Sequence, residues 1–317
     1  MSSPTFDKTT TQTCDWADLP TALHGLWDDC MQNHGGSDVA RALTMNLIGI
    51  AHLDDAAALC AITEQLHRHT PCRAFMLLLD ENADDEAAEV SATTRRHGEI
   101  RDIVLEEIVL RVRTADLPRI PGLLRPLIID DLPSHLFWAL PWPAKERSFD
   151  TLAQLCQHAI VDSSSFGNPA RELPILSRRR EQGQLLSDLS WLRVQPWRRA
   201  LAEAFERFDW RPNTSVNGTV RHGKAARATA MLLSDWLYER LAASIALEPD
   251  GDADSVGPDH VVLHVLLESG EIEIVIDTQD DKLVTHVTAQ SHCYMPFRSA
   301  AQSGSDAKLL SLAIDAS

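Results

Sequence analysis

The first half of the chain alternates between continuous apolar runs and amphipathic segments. Residues 73–79 form a nearly continuous apolar run, which is typical of a strand that is covered on both faces, and residues 41–50 form a second predicted buried strand. Between them, residues 56–66 repeat apolar side chains at the spacing of one helical face. Because strands that alternate with helices need crossover connections, the pattern predicts an α/β domain with a mainly parallel sheet over residues 36–170. Its further predicted strands lie at 100–112, 136–140 and 159–162.

The second half of the chain has a different pattern of apolar positions. Residues 196–208 and 224–247 carry apolar side chains at helical spacing, and three later segments alternate as strands do. Ser269 and Gly270 join the first two of these strands as a predicted hairpin. The pattern therefore predicts an α+β C-terminal domain with antiparallel strands over residues 196–317. Residues 1–35 form a predicted N-terminal extension, and residues 171–195 a predicted basic connector.

Composition narrows the classes of partner. The 317 residues include 29 Lys and Arg against 46 Asp and Glu, a net charge of −17. A chain this acidic is repelled by nucleic-acid phosphates and anionic lipids, so we expect neither nucleic acid nor membrane as a partner. The N-terminus lacks the basic start and apolar core of a signal peptide, and the six cysteines form no C-x-x-C pair. These features predict a cytoplasmic protein with free thiols.

The charge is distributed unevenly. Residues 171–227 hold 12 basic and 6 acidic side chains, a net charge of +6. The run Arg178, Arg179 and Arg180 contributes three of these basic side chains. This basic island has two interpretations, a solvated helix face or a docking surface for an acidic partner.

Three patterns are candidates for chemistry, and each lacks a necessary part. Gly218 to Lys224 fits G-x-x-x-x-G-K, but alanine follows the lysine where a phosphate loop needs Ser or Thr, so we interpret it as a turn before a helix. Ser163 to Ser165 follow a predicted strand, where a hydrolase could place a nucleophile, but no G-x-S-x-G elbow surrounds them. We interpret these serines as a helix cap or a loop.

The four zinc-type side chains that cluster in the sequence are Cys60, His67, His69 and Cys72. One helix-to-strand turn would have to supply all four, whereas zinc ligands usually come as two close pairs with a spacer. No G-x-G-x-x-G follows a predicted strand, so the sequence has no dinucleotide-binding fingerprint. We therefore predict no catalytic residues, no cofactor and no bound metal.

Aromatic and arginine side chains are concentrated in one segment. Trp191, Arg193, Trp197 and Arg198 lie within eight consecutive residues. Tryptophan and arginine are favoured anchors of protein interfaces, and they also form cation–π stacks within cores. Both interpretations are open from the sequence.

Residues 188–205, DLSWLRVQPWRRALAEAF, resemble the D-L-x-W-x-R-x-x-P-W-R motif of the OpcA family, the glucose-6-phosphate dehydrogenase assembly proteins. Five other segments resemble the family in the same order: RALTMNL from Arg41, HTPCRA from His69, PLIIDDLPSHLFW from Pro126, AIVDSSSF from Ala159, and the segment 228–241. Ala159 departs from the family's arginine, and Phe137 stands in place of a tryptophan.

The resemblance implies a non-catalytic partner that binds glucose-6-phosphate dehydrogenase and favours its active oligomer, in the oxidative pentose phosphate pathway. The candidate contact residues are then Trp191, Arg193, Trp197, Arg198 and the run from Arg178 to Arg180. The alternatives are a metabolite-binding sensor, or an enzyme that uses the Ser163–Ser165 or Gly218–Lys224 loop on a phosphorylated substrate.

Overall fold

The computed structural model describes residues 6–32, 39–83, 86–97, 100–206, 215–249, 260–277, 282–289, 292–300 and 305–316. The chain divides into two compact units. The first unit comprises Met1–Val161, Gly183–Ser187 and Leu310–Ser317, and the second comprises Asp162–Gln182 and Asp188–Leu309.

The helices are α1 (Leu19–Gln32), α2 (Ala56–Leu66), α3 (Ile120–Leu124), α4 (Arg147–Ala153), α5 (Pro169–Glu181), α6 (Leu189–Arg193), α7 (Gln195–Phe205), α8 (Arg227–Leu241) and α9 (Asp306–Asp315). The strands are β1 (Phe6–Asp15), β2 (Val39–Arg41), β3 (Met45–His52), β4 (Cys72–Leu79), β5 (Ala87–His97), β6 (Ile100–Val112), β7 (Ser134–Trp138), β8 (His158–Val161), β9 (Leu186–Asp188), β10 (Val216–His222), β11 (Ser244–Pro249), β12 (Val261–Leu267), β13 (Gly270–Asp277), β14 (Lys282–Ala289), β15 (His292–Cys293) and β16 (Phe297–Ala300). None of the described helices is both long enough and apolar enough to cross a membrane.

The first sheet has the strand order β1-β5-β6-β4-β3-β7-β8-β9, with β2 beside β6. The pairings from β6 through β4, β3 and β7 to β8 are parallel, whereas β1 and β5 are antiparallel. Strands β3 and β4 are buried along almost their whole length. This agrees with the mainly parallel sheet predicted from their continuous apolar runs. Strand β1 comes from the segment predicted as an N-terminal extension and pairs with β5.

Two buried polar side chains connect the sheet of the first unit to the segment before β7. Arg73 Nε donates to Glu106 Oε2 at 2.6 Å, and Arg73 Nη1 donates to the Leu127 carbonyl at 2.5 Å. Asn46 Nδ2 donates to the Ile129 carbonyl at 3.0 Å, and its Oδ1 accepts from the Ile129 amide at 3.0 Å. Because none of these side chains could find water in the core, each depends on its partners for hydrogen bonds.

Two histidines of the first unit share a buried position on neighbouring strands. The Nδ1 atoms of His135 and His158 lie 3.3 Å apart, and His158 Nε2 lies 2.9 Å from Ser187 Oγ. Burial lowers the pKa of His135. Burial, together with the neighbouring His135, lowers the pKa of His158 to about 4. The folded protein therefore holds this pair neutral at pH values where a free imidazole is charged.

The histidine pair predicts a loss of stability in mild acid. The unfolded chain protonates His158 near the ordinary imidazole pKa of 6.5, but the folded protein resists protonation until about pH 4. The stabilisation is complete above the unfolded pKa and is lost as the pH falls, by about 2 kcal/mol at pH 5. Urea unfolding of wild type and His158→Gln at pH 8 and pH 5 measures this component as the difference between their pH slopes. The matched control is His24→Gln, at an imidazole that is 78% exposed on the surface of α1.

The second unit is built on a mixed sheet with the order β11-β10-β12-β13-β14-β15, and β16 also pairs with β14. Strands β10 and β11 are parallel, whereas β10, β12, β13 and β14 pair antiparallel. Leu267 pairs with Gly270 across the turn, which confirms the predicted hairpin. One face of the sheet packs with α7 and α8 into a core that includes Val194, Trp197, Leu201, Leu233, Leu237, Leu263, Val265, Ile272, Ile274 and Val287.

The helix predicted over 224–247 is wrong at both ends, since α8 begins at Arg227 and ends at Leu241. Helix α8 ends at Leu241, because Ala242 has a φ of 51° and a left-handed backbone that cannot continue the helix. The remaining residues form β11, which pairs with β10. Phe208, at the end of the predicted helix 196–208, lies outside the described residues.

Candidate functional site

Residues 188–205, which contain the predicted contact residues Trp191 to Arg198, fold into helices α6 and α7 of the second unit. Asp188 determines where α6 begins. Asp188 is the N-cap of α6, and its Oδ1 accepts from the Ser190 amide at 3.0 Å. The same carboxylate accepts from the Ser163 amide at 3.1 Å and from the Ser163 hydroxyl at 2.7 Å. Burial raises the pKa of Asp188, although the hydrogen bonds from Ser163 oppose the rise. Asp188 is therefore an internal connection between two separate segments of the chain.

Arg193 also connects separate segments of the chain, through hydrogen bonds to two carboxylates. Its Nη1 and Nη2 atoms donate to the two carboxylate oxygens of Asp162 at 2.7 and 2.8 Å, a bidentate pair. Nη2 also donates to Asp306 Oδ1 at 2.7 Å. Burial would raise the pKa of Asp162, but the hydrogen bonds and charge of Arg193 outweigh it and hold the pKa below its usual value. The guanidinium is thus neutralised by its own chain, which makes Arg193 a structural residue.

Arg198 has a different environment, because it stacks between two indoles. Its Cζ atom lies 4.8 Å from the Trp191 ring centroid and 5.4 Å from the Trp236 ring centroid. Its Nε is buried and has no hydrogen-bond partner in the described structure, and the guanidinium makes no ion pair with any described residue. All three side chains are partly exposed. We call Trp191, Arg198 and Trp236 the indole–arginine stack.

Trp236 was not among the residues selected from the sequence. It lies on α8, 38 positions after Arg198, so no local pattern links the two residues. The available signal was the family-like segment 228–241, which contains this tryptophan. A cation between two aromatic faces is stabilised by the ring quadrupoles, and this stabilisation does not require a carboxylate partner.

Trp197 does not lie on the surface as the contact prediction requires. Only 4% of the residue is exposed, and it packs in the core of the second unit with Ala200, Leu201 and Ala204. These positions follow the helical repeat of α7, so its indole belongs to the buried stripe. The contact role predicted for Trp197 is therefore inconsistent with the folded second unit.

The run Arg178 to Arg180 occupies the last turn of α5. Arg178 and Arg180 are exposed, and Arg179 is half-buried. Positive side chains in this position interact favourably with the negative end of the helix dipole. A structural role thus accounts for part of the basic island, and the contact role of the run stays a prediction.

The serines after β8 form hydrogen bonds that stabilise the turn in which they lie. Ser163 is fully buried and donates to Asp188, as described above, while Ser165 Oγ donates to the Asp162 carbonyl at 2.7 Å. The Ser164 amide donates to Asp162 Oδ1 at 3.0 Å. The Ser163 and Ser165 hydroxyls thus donate to carboxylate and carbonyl oxygens, which agrees with a capped turn and gives no support to a nucleophile.

Most of the Gly218–Lys224 pattern is a strand, and only Gly223 and Lys224 belong to the predicted turn before a helix. Residues 218 to 222 lie within β10, and a Cβ on Gly218 would approach the His264 carbonyl oxygen to 2.3 Å. Glycine is thus required by the close approach of β12, not by a phosphate. The Gly223 amide donates to the His260 carbonyl at 3.0 Å, so it is occupied. Strand backbone cannot form the cradle that a phosphate loop needs.

The zinc-type residues do not converge. Cys60 lies on α2, Cys72 lies within β4, and no group of three or more His, Cys, Asp or Glu suited to a metal ion occurs among the described residues. Burial raises the pKa of the Cys72 thiol to about 12. That thiol is therefore a protonated core side chain.

Two protein-family models match the chain in succession. Residues 63–180 match the model described as "Glucose-6-phosphate dehydrogenase subunit N-terminal domain", and residues 184–314 match the model for the C-terminal domain of the same family. The two matches together cover most of the chain. The chain belongs to the OpcA family. This confirms the resemblance found in the sequence.

Curated proteins with OpcA names are similar to part of this chain. "Putative OxPP cycle protein OpcA" of Nostoc punctiforme is 32% identical over 188 residues, which is 57% of this chain and 40% of the relative. The protein of the same name from Synechocystis is 28% identical over 186 residues, 57% of this chain and 39% of the relative. The matched region thus spans about two fifths of the length of these curated relatives.

Among solved structures, KijD10, a 3-ketoreductase from Actinomadura kijaniata in complex with NADP and TDP-benzene, is 11% identical with a TM-score of 0.49. The match covers 86% of this chain and 89% of that chain. A likeness at this level decides nothing about the OpcA chain.

Three of the six family-like segments meet at the site. The D-L-x-W-x-R motif supplies Asp188, Trp191 and Arg193, and the segment from Ala159 supplies their partners Asp162 and Ser163. The segment 228–241 supplies the second indole of the stack. These three segments build part of the second unit, and at the indole–arginine stack they leave a cation without a partner carboxylate in the described structure.

Proposed function

We propose that this OpcA chain is a non-catalytic protein that binds glucose-6-phosphate dehydrogenase and favours its active oligomer. The family description and the OxPP names of its relatives support a role connected with that enzyme. A partner that binds one assembly state more tightly than another shifts the population toward it by its difference in affinity. The proposal places both proteins in the cytoplasm and requires neither a cofactor nor a nucleic acid.

The indole–arginine stack is the observation that carries this proposal. A partly exposed guanidinium without an ion pair can donate hydrogen bonds to a carboxylate of another protein, and the two indoles would shield that pair from water. Arg193 cannot serve this way, because Asp162 and Asp306 already neutralise it. Trp191, Arg198 and Trp236 thus form the centre of the proposed contact, and Arg178 to Arg180 contribute long-range attraction for an acidic partner.

The prediction for this contact is a loss of affinity without a loss of folding. Arg198→Gln keeps the length and polarity of the side chain but removes its charge, and we expect the dissociation constant for glucose-6-phosphate dehydrogenase to rise about 10- to 100-fold. Titration calorimetry with the purified enzyme measures the change, and NADP reduction reports whether activation falls in parallel. Trp191→Ala should have an effect of similar size, since it removes one side of the stack.

The matched control is Arg125→Gln, an exposed arginine on the first unit, which should leave the affinity unchanged. If wild type neither binds the enzyme nor alters its rate or oligomeric state, the proposed function is wrong. If wild type binds and Arg198→Gln binds equally well, the function stands and the contact lies elsewhere.

The enzyme alternative receives no support from the two loops on which it depended. Ser163 is engaged with a buried carboxylate, and the Gly218–Lys224 segment is largely a strand. The metabolite-sensor alternative stays a prediction.

A further inference from the structure

The mixed sheet of the second unit has one face in the core and one face outside it. Along β12, Val261, Leu263 and Val265 are buried, whereas the residues between them are partly or fully exposed. The same alternation continues along β13 and β14. We call the outer side of this sheet the open face; its centre carries Val262, His264 and Leu266 of β12 and Glu271, Glu273 and Val275 of β13.

The open face is laid out in two halves about the β12–β13 hairpin. Three strands, β11, β10 and β12, lie on one side, and β13, β14 and the β15/β16 position lie on the other. The acidic Glu248 is on the edge strand of the first half, in register with Arg221. The basic Arg298 is on the edge strand of the second half, in register with Val284. At the centre, His264 on β12 is in register with Glu273 on β13.

We propose that the open face binds a second copy of this chain, about a two-fold axis that runs along the hairpin between β12 and β13. This axis places β12 of one copy over β13 of the other, and β11 over β16. Glu248 of each copy then faces the strand that carries Arg298 of the second copy, and Val262 faces the strand with Val275. His264 faces the position of Glu273 in the second copy, while within its own chain its Nε2 lies 3.2 Å from Glu271 Oε2. The face is thus complementary to itself in charge, as an isologous interface requires.

The size of the face fits a dimer. Six strand positions at about 4.8 Å spacing and strands of about seven residues at about 3.4 Å each give about 700 Å² per copy. The total of about 1,400 Å² lies within the range of stable, specific interfaces. Two sheets packed face to face keep their strands within about 30° of each other, so the pairing of opposite strands is retained.

The test is the mass of the full chain in solution, and it needs no glucose-6-phosphate dehydrogenase. Sedimentation velocity from about 1 to 100 µM should show a species of twice 35.2 kDa. Glu248→Arg and Arg298→Glu should each weaken dimerisation at least about 10-fold, because each places like charges on facing strands. The double variant Glu248→Arg/Arg298→Glu restores opposite charges and should return to within about threefold of wild type. Asp54→Arg, an exposed reversal on the first unit, is the control.

A chain that stays monomeric at 100 µM overturns the proposal, and so does a double variant no better than the single ones. A monomer in which Glu248→Arg abolishes enzyme binding also overturns it, since the face would then take a different protein. Circular dichroism melting of each variant confirms that the fold is intact. Because dimerisation is measured on the chain alone, its failure leaves the proposed function and the indole–arginine stack untouched.

Discussion

Glu106→Gln is expected to lower the free energy of unfolding of the first unit by about 3–5 kcal/mol. Arg73 and Glu106 are only 7% and 3% exposed, and their side chains form an ion pair supported by the Leu127 carbonyl. The substitution keeps the shape of the side chain but leaves a buried guanidinium without a negative charge. Water cannot reach the cation to compensate, so the desolvation cost of Arg73 falls on the folded state.

Unfolding in guanidinium chloride measures the change in the free energy of unfolding. Hydrogen exchange of the β4 and β6 amides assigns that change to the first unit. The matched control is Glu86→Gln, which breaks an ion pair with Arg119 whose side chains are 54% and 58% exposed. That exposed pair should contribute less than about 1 kcal/mol. The double variant Arg73→Met/Glu106→Leu removes both charges and should recover most of the loss. A Glu106→Gln variant as stable as the Glu86→Gln control would show that the buried pair contributes little.

The first unit shows which strands can be read from a sequence. Strands β3 and β4 were predicted because strands buried on both faces are nearly continuous apolar runs. Strand β5 was missed, because its buried positions are small or weakly apolar residues such as Ala88, Ala92 and Thr94. Small side chains give little contrast with their polar neighbours. Its pairing with β1, more than 70 residues earlier, leaves no local trace in the sequence.

The site shows a second limit of the same kind. The motif containing Trp191, Arg193 and Arg198 could be identified from the sequence. The sequence could not show that its two arginines have different partners. Asp162 and Asp306 neutralise one arginine from 31 and 113 residues away, whereas the other has an indole on each side. Only the fold determines which cation has a carboxylate partner. The burial of Trp197 was more accessible, since its spacing from Ala200, Leu201 and Ala204 is that of a core stripe.

The position of Gly218 was misread for a physical reason. Glycine is needed both where a loop cradles a phosphate and where two backbones approach closely, and the letters alone do not separate these cases. Here the His264 carbonyl on the neighbouring strand leaves no room for a Cβ, so the glycine is required by the close approach of two strands. His264 lies 46 residues after Gly218, in the antiparallel strand β12.

Asp162→Asn is expected to cost about 2–4 kcal/mol in the second unit and to leave the intrinsic affinity for the enzyme unchanged. The substitution removes the charge from a bidentate pair whose side chains are 15% and 23% exposed. It also weakens the acceptor for the Ser164 amide and the Ser190 hydroxyl. Since Arg193 keeps its bond to Asp306, part of the stabilisation should survive.

The pH dependence distinguishes this loss from a packing defect. The folded pKa of Asp162 is lowered below its ordinary value of 3.8, so its stabilisation is present above that value and is lost as the pH falls through the folded pKa. Wild type should therefore lose stability below about pH 4 by an amount that Asp162→Asn does not show. Asp306→Asn, at a carboxylate whose side chain is 51% exposed, should cost less than about 1 kcal/mol.

Binding measured on folded Asp162→Asn separates the two roles of the OpcA motif. If Arg193 is structural and Arg198 contacts the partner, Asp162→Asn should have a lower melting temperature but wild-type affinity for the enzyme. Arg198→Gln should have the wild-type melting temperature but a lower affinity. An Asp162→Asn protein that is fully folded yet loses affinity as strongly as Arg198→Gln would contradict this division, since Arg193 would then reach the partner. The contrast requires both variants, because either result alone fits a motif with one shared role.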